Sequence, residues 1–194
     1  MSRYMSRDAK FDLSRRAMLA LTAAASASVC VPASAKVKSI PRSLGNVTRR
    51  VVVYGGNQPP GSIEISNADR TLHFVLGQGA AAEYDISVGR DGFLWTGTTI
   101  VGRKAEWPAW HPPAEMRARQ PELPVHVPPG PYNPLGARAI YLYLNGRDTL
   151  YRIHGTNNAA SVGGIETSGC FRMSNADVLE LYERVQTGAQ VIVA

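Results

Sequence analysis

From Arg49 to Ala194 the apolar side chains come in short runs, each cut off by glycine, asparagine, aspartate or proline. A half-buried strand needs no more than that, whereas a helix needs an apolar residue every third or fourth position over ten or more. The pattern confines the chain to a mainly β fold. Val51-Val52-Val53-Tyr54 stops at Gly55-Gly56, and Ser62-Ile63-Glu64-Ile65 alternates before the turn Asn67-Ala68-Asp69. Further strands are expected at 71–76, 84–89 and 97–101. Ala139 to Leu144 and Leu150 to Ile153 flank Asn145-Gly146, a strong hairpin signal. Only one segment has helical period. Ser174 is its expected N-cap with Asp177 three residues on, Val178, Leu181, Tyr182 and Val185 form its apolar face, and Gly188 is its expected stop. Gln190 to Val193 closes the chain as a strand.

Residues 102–137 interrupt this regularity. They hold nine of the thirteen prolines and two of the three tryptophans, Trp107 and Trp110, with few periodic apolar positions. A loop of this length inside a compact domain is commonly a lid or binding wall, and tryptophan rings in it need burial, so Trp107 and Trp110 are expected to wall a cleft.

The first 35 residues read as a targeting segment. Ser14-Arg15-Arg16 is a twin-arginine pattern, an uncharged Ala-rich stretch follows, and Ala33-Ser34-Ala35 is an A-x-A cleavage site. A signal peptide over 1–35, a polar linker over 36–48 and one catalytic domain over 49–194 are expected, and with them export to the periplasm or cell envelope. The first 35 residues carry half of the net charge of +6, and no Lys/Arg run is interleaved with aromatics, so nucleic acid is a poor partner. The two cysteines are Cys30 and Cys170. Removal of the leader leaves Cys170 as a solitary thiol in an oxidising compartment, a liability unless it is used.

The residues around Cys170 say how. His154-Gly155-Thr156 precedes Ser168-Gly169-Cys170-Phe171-Arg172 by a short interval, bringing an imidazole, a thiol, a flexible backbone and a guanidinium into one region. A thiol is strongly nucleophilic as the thiolate, and histidine is the natural base for it. His154 ends a strand, and the Gly155 carbonyl is placed to bond one ring nitrogen, leaving the other for Cys170. Amides at Gly169 and Cys170 are candidates for an oxyanion hole. The helix that follows is expected to lower the thiol pKa through its dipole, together with His154. Arg172 is either a fork for a substrate carboxylate or an exposed ion-pairing residue. Thr156 and Asn157 line the site or only turn the chain. No metal-ligand spacing and no glycine-rich phosphate loop is present, so neither metal nor cofactor is expected.

The block from His154 to Asn157 and from Ser168 to Val178 resembles the catalytic signature of L,D-transpeptidases of the ErfK/YbiS/YcfS/YnhG type, with the YkuD domain. Arg103 to Pro108, Pro121-Glu122-Leu123-Pro124 and Asn133 to Ala139 resemble the same family. The resemblance implies a β-sandwich catalytic domain with a long Pro-rich loop and one short helix after the cysteine. It further implies that Cys170 takes an acyl group from a peptidoglycan tetrapeptide stem, with His154 as base and acid, Gly155 orienting it, and amides around Ser168, Gly169 and Cys170 holding the oxyanion. Arg172, Thr156, Asn157, Trp107 and Trp110 are the expected substrate contacts. An amine then takes the acyl group, from another stem or from a lysine of an outer-membrane protein or lipoprotein. Two departures stand out. Thr167-Ser168-Gly169-Cys170 replaces the frequent Ser-His-Gly-Cys, and residues 91–97, with Phe93 and Trp95, stand where a proline-threonine-rich segment is usual. An L,D-carboxypeptidase, a non-catalytic wall-binding module and a cysteine endopeptidase are the competing readings.

Overall fold

The computed structural model describes residues 44–194. The expected signal peptide and the first eight residues of the expected linker lie outside the described residues. Eleven strands follow in chain order: β1 (Arg50–Val53), β2 (Ile63–Ser66), β3 (Thr71–Gly77), β4 (Ala80–Asp85), β5 (Val88–Gly89), β6 (Gly97–Glu106), β7 (Arg138–Leu144), β8 (Arg147–His154), β9 (Ile165–Thr167), β10 (Phe171–Arg172) and β11 (Gln190–Val193). Helix α1 (Ala114–Arg119) lies between β6 and β7, and α2 (Asn175–Arg184) between β10 and β11. Among the described residues no helix is long and apolar enough to cross a membrane.

Nine strands form one sheet in the order β1-β4-β3-β2-β11-β6-β7-β8-β10, and β5 pairs with β9 beside it. The sheet is antiparallel except where β11 joins β2 and where β10 joins β8. Strand alternation makes the core. Ile63 and Ile65 of β2, Leu72 and Phe74 of β3, and Ala82 and Tyr84 of β4 point inward, and meet Ile140 and Leu142 of β7, Ile153 of β8 and Phe171 of β10 in a single cluster. Both halves of the sheet therefore cover one core, giving the mainly β, sandwich-like fold expected. Helix α2 seals it with Val178, Leu181 and Val185, all fully buried.

Several boundaries differ from expectation for identifiable reasons. The strand expected over 84–89 is two strands: Ala80 to Asp85 pairs with β3 across a turn in which Gly77, Gln78 and Gly79 all have positive φ, and β5 leaves to pair with β9. β6 runs on to Glu106 because the register shifts between Val101 and Arg103, absorbing Gly102 where a loop was expected. α1 is a second helix within the Pro-rich segment; none of its residues is buried, so it shows no apolar period. α2 ends at Arg184 rather than running to Gly188, with Lys104 Nζ donating to the Tyr182 and Val185 carbonyls at 2.5 and 2.8 Å. Cations at a helix C-terminus suit its dipole and its orphan carbonyls.

Candidate active site

The pairing of β10 with β8 builds the site. Phe171 is in register with Ile153 and Arg172 with His154. Side chains alternate across a strand, so Ile153 and Phe171 enter the core while Arg152, His154, Cys170 and Arg172 turn to the opposite face. All four line one cleft of about 990 Å³. The main chain clamps this register: Met173 N–H donates to the His154 carbonyl at 2.8 Å, and Arg172 exchanges two backbone bonds with Ser87.

His154 is buried, 5 % exposed. Its Nδ1 lies 2.6 Å from the Gly155 carbonyl oxygen. A carbonyl only accepts, so Nδ1 carries the proton and Nε2 is the basic nitrogen. Burial pushes the His154 pKa down to about 4; the Gly155 bond opposes this, and Arg172 and Arg152 add to it. The Cys170 thiol lies 3.7 Å from the Leu150 carbonyl. Burial moves its pKa upward, while the Arg152 guanidinium, the Arg152 amide and Arg172 pull the other way. The net direction is opposite to the lowering expected from His154 and the helix: burial favours the neutral form of each group, fully for His154 and in part for Cys170, which keeps some exposure. Nor is the α2 N-terminus directed to the sulfur alone: Ser174 Oγ accepts from the Asp177 amide at 3.0 Å, and the Asp177 carboxylate accepts from Thr48 N–H and Oγ1, both at 2.8 Å. That carboxylate already complements the positive end of the helix.

Burying His154 as a neutral group makes stability depend on pH. The unfolded chain takes up a proton near the ordinary histidine value of about 6.5, and the folded chain only near 4. Stability is complete above about pH 6.5 and falls as pH drops toward 4, by about 3 kcal/mol from this residue. Denaturant unfolding at stepped pH is expected to show that fall in the parent chain and a shallower one in His154→Gln. Parallel curves would show that the imidazole is not desolvated.

The expected oxyanion amides are not equivalent. Gly169 has φ +100°, and its N–H donates to Thr167 Oγ1 at 3.2 Å, while Thr167 Oγ1 donates to the Cys170 carbonyl at 2.6 Å. The turn before the nucleophile is thus closed by Thr167, and the Gly169 amide is occupied. Among the expected substrate contacts, Arg172 and Trp110 line the cleft, as does Ser168. Arg172 donates to Ser161 Oγ at 2.7 Å and pairs with Glu166 at 3.2 Å. Trp107, Thr156 and Asn157 are not among the cleft-lining residues. Trp107 N–H instead donates to the Ala137 carbonyl and closes the base of the long loop. Thr156 is buried behind His154, and Asn157 Nδ2 donates to the Tyr132 carbonyl.

Three residues important to the arrangement had no role in the sequence reading. Arg152 forms a two-pronged pair with Asp148 at 2.8 and 3.0 Å and lies over the Tyr141 ring at 4.3 Å. Its signal was the strand period, two positions before His154. Asn175 bonds three backbone groups with one carboxamide: Ala137 N–H at 2.9 Å, Thr156 N–H at 3.1 Å and the Thr156 carbonyl at 2.7 Å. Trp95 donates to the Gly169 carbonyl at 3.0 Å. Among the described residues no group of three or more His, Cys, Asp or Glu is placed to hold a metal ion.

Known proteins share this fold and sequence. Probable L,D-transpeptidase YbiS of Escherichia coli is 38 % identical over 138 residues, 66 % of this chain and 43 % of YbiS. The chain therefore spans less than half the length of that relative. The crystal structure of a Brucella melitensis protein called a probable carnitine operon oxidoreductase is 39 % identical, with a TM-score of 0.52 over 75 % of this chain and 92 % of its own. The catalytic domain of an Enterococcus faecium L,D-transpeptidase acylated by ertapenem has a TM-score of 0.53 at 18 % identity, over 72 % of this chain and all of its own. At that identity the likeness concerns the fold. The family model for the YkuD L,D-transpeptidase catalytic domain matches residues 60–193, nearly all of the described chain, and the protein belongs to that family.

Proposed function

We propose that this chain is an exported L,D-transpeptidase that works through a Cys170 thioester on peptidoglycan stem peptides. The observation that carries the reading is the common face of Cys170 and His154: Cys170 directly precedes β10, His154 ends β8, the two strands pair, and both side chains line one cleft with the imidazole Nδ1 tied to Gly155. Residues 1–35 act as a twin-arginine-type signal peptide, 36–48 as a linker and 49–194 as the catalytic domain, placing the work in the periplasm or cell envelope.

The neutral resting pair sets the order of events. Sγ attacks the carbonyl of the third stem residue as Nε2 of His154 takes the thiol proton, so the thiolate exists only with its electrophile in place. The tetrahedral oxygen is held by backbone amides at Ser168 and Cys170. Collapse breaks the peptide bond, His154 returns the proton to the departing D-alanine amine, and the acyl group stays on sulfur as a thioester. An acceptor amine, from a second stem or a protein lysine, loses its proton to His154 and takes the acyl group, regenerating the thiol. Arg90, Arg103, Arg119, Arg152 and Arg172 line the cleft against Glu115 and Glu166, a balance suited to stems bearing carboxylates.

Ertapenem is the first probe, since it acylates the Enterococcus domain of the same fold. Attack of Sγ on its β-lactam carbonyl breaks the ring C–N bond and leaves the whole molecule attached. Intact-mass analysis is expected to show one full ertapenem mass, mapped to Cys170. Tetrapeptide muropeptides are expected to give cross-linked dimers and free D-alanine. Release of D-alanine with tripeptide alone would make the enzyme a carboxypeptidase, and no adduct with no turnover would overturn the acyl-transfer reading.

A further inference from the structure

Trp95 lies outside the cleft, in the segment 91–97 that departs from the usual family pattern, yet it is fixed directly against the nucleophile turn. Its indole Nε1–H donates to the Gly169 carbonyl at 3.0 Å. Its ring stacks on Tyr151 with centroids 4.5 Å apart at 11°, and meets Phe171 at 5.6 Å and 48°. Its own carbonyl accepts from Asn67 Nδ2 at 2.9 Å. Tyr151 completes the enclosure: a Cβ at Gly169 would lie 2.5 Å from Tyr151 Cε1. The indole is therefore held by its backbone, its faces and its polar edge.

We propose that Trp95 is a positioning residue for the oxyanion-binding amide of Cys170. The Gly169 carbonyl and the Cys170 N–H belong to one planar trans peptide and point in opposite directions, so anchoring the oxygen orients the hydrogen. Trp95 sits off the cleft while Ser168 and Cys170 line it, so an N–H turned away from the indole is turned toward the side from which substrate reaches Sγ. The need for such an anchor follows from Gly169. A glycine at φ +100° leaves the next peptide plane free to rotate, and the Gly169 amide is already committed to Thr167. The inference rests on the acyl-transfer reading, because only a step that develops an oxyanion responds to the direction of this amide.

Two reactions of the same thiol separate this role from a general structural one. Acylation by ertapenem passes through a tetrahedral oxyanion. Alkylation by iodoacetamide forms an S–C bond and expels iodide without one. The variants are Trp95→Phe and a chain carrying 3-benzothienylalanine at position 95, which keeps the bicyclic shape but has sulfur in place of N–H. Loss of an oxyanion donor slows such reactions about 10²–10³-fold, and misdirection of one is expected to slow acylation about 10- to 100-fold in both variants. Alkylation of each variant is expected to stay within about twofold of the parent at every pH from mildly acidic to alkaline, because the thiol pKa and access are untouched. Unchanged acylation in the benzothienyl chain overturns the proposal, as does an equal fall in both reactions. If Trp95→Phe does not fold, the benzothienyl chain, which retains the stacking, decides alone. A parent chain that ertapenem leaves unmodified sinks the acyl-transfer reading and this inference with it. A parent that is acylated and variants that match it sink the inference only.

Discussion

A Cys170→Ala chain is expected to fold within about 1 kcal/mol of the parent and to lose stem-peptide turnover by at least about 10⁴-fold, with no ertapenem adduct. The two halves of this expectation have separate causes. For stability, the sulfur makes only one weak bond, 3.7 Å to the Leu150 carbonyl, and the neighbouring Phe171 and Met173 supply the burial. For catalysis, Cys170 is the only thiol among the described residues, and His154, the one imidazole on this face beside it, is spent as the base, so the cleft hydroxyls are left without an activating partner. Adding His154→Ala to Cys170→Ala is expected to cost little more, since a base without its nucleophile has nothing to activate. Chromatography of muropeptide products, read beside thermal unfolding, checks both halves. A Cys170→Ala chain retaining turnover within tenfold of the parent would remove the thioester from the mechanism.

The second large effect lies on a residue that never touches substrate. Asn175→Ala is expected to destabilise the domain by about 3 kcal/mol, because Ala137 N–H, Thr156 N–H and the Thr156 carbonyl lose their part-buried partner together, at about 1 kcal/mol each. For a domain of this size that lowers Tm by about 6–12 °C. Turnover is expected to fall as well, since the Thr156 N–H that Asn175 holds shares one peptide plane with the Gly155 carbonyl that fixes the imidazole. Asn175→Asp keeps the acceptor for both amides but faces the Thr156 carbonyl with a second oxygen, and should lie between parent and Asn175→Ala. Gly155 exists for this carboxamide: a Cβ there would lie 2.2 Å from Asn175 Oδ1. Gly155→Ala is therefore expected to be damaging alone and markedly less so on top of Asn175→Ala, a coupling read from a double-mutant cycle. Additive effects would show that the glycine is required for some other reason.

How far the sequence reached depends on whether a residue acts through its own chemistry or through geometry. The alternation at 62–65 located a strand because burial on one face leaves a period-two trace, and the continuous apolar run at 139–144 located another because Ala139 to Leu142 are buried on both faces. The period of Val178, Leu181 and Val185 located α2 for the matching reason. α1 left no trace, since none of its residues is fully buried and it has no apolar face. β9 and β10 are too short for any period, and owe their existence to partners distant in the chain, Val88 for one and Ile153 for the other. Trp107 and Trp110 looked alike in sequence, yet only Trp110 faces the cleft. Trp107 is placed by its amide bond to Ala137, thirty residues along.

By itself, the order of residues determined a mainly β chain and a cysteine, Cys170, that follows a strand-end histidine. These rest on periodicity and on reactive groups that carry their chemistry wherever they are put. Tertiary structure decided what those groups do at rest. The parallel pairing of β10 with β8 brings Cys170 and Arg172 onto the face that strand period already gives Arg152 and His154, and burial there moves the thiol pKa up and the imidazole pKa down. Burial and strand register belong to no single residue, since both come into being when segments far apart in sequence exclude water between them.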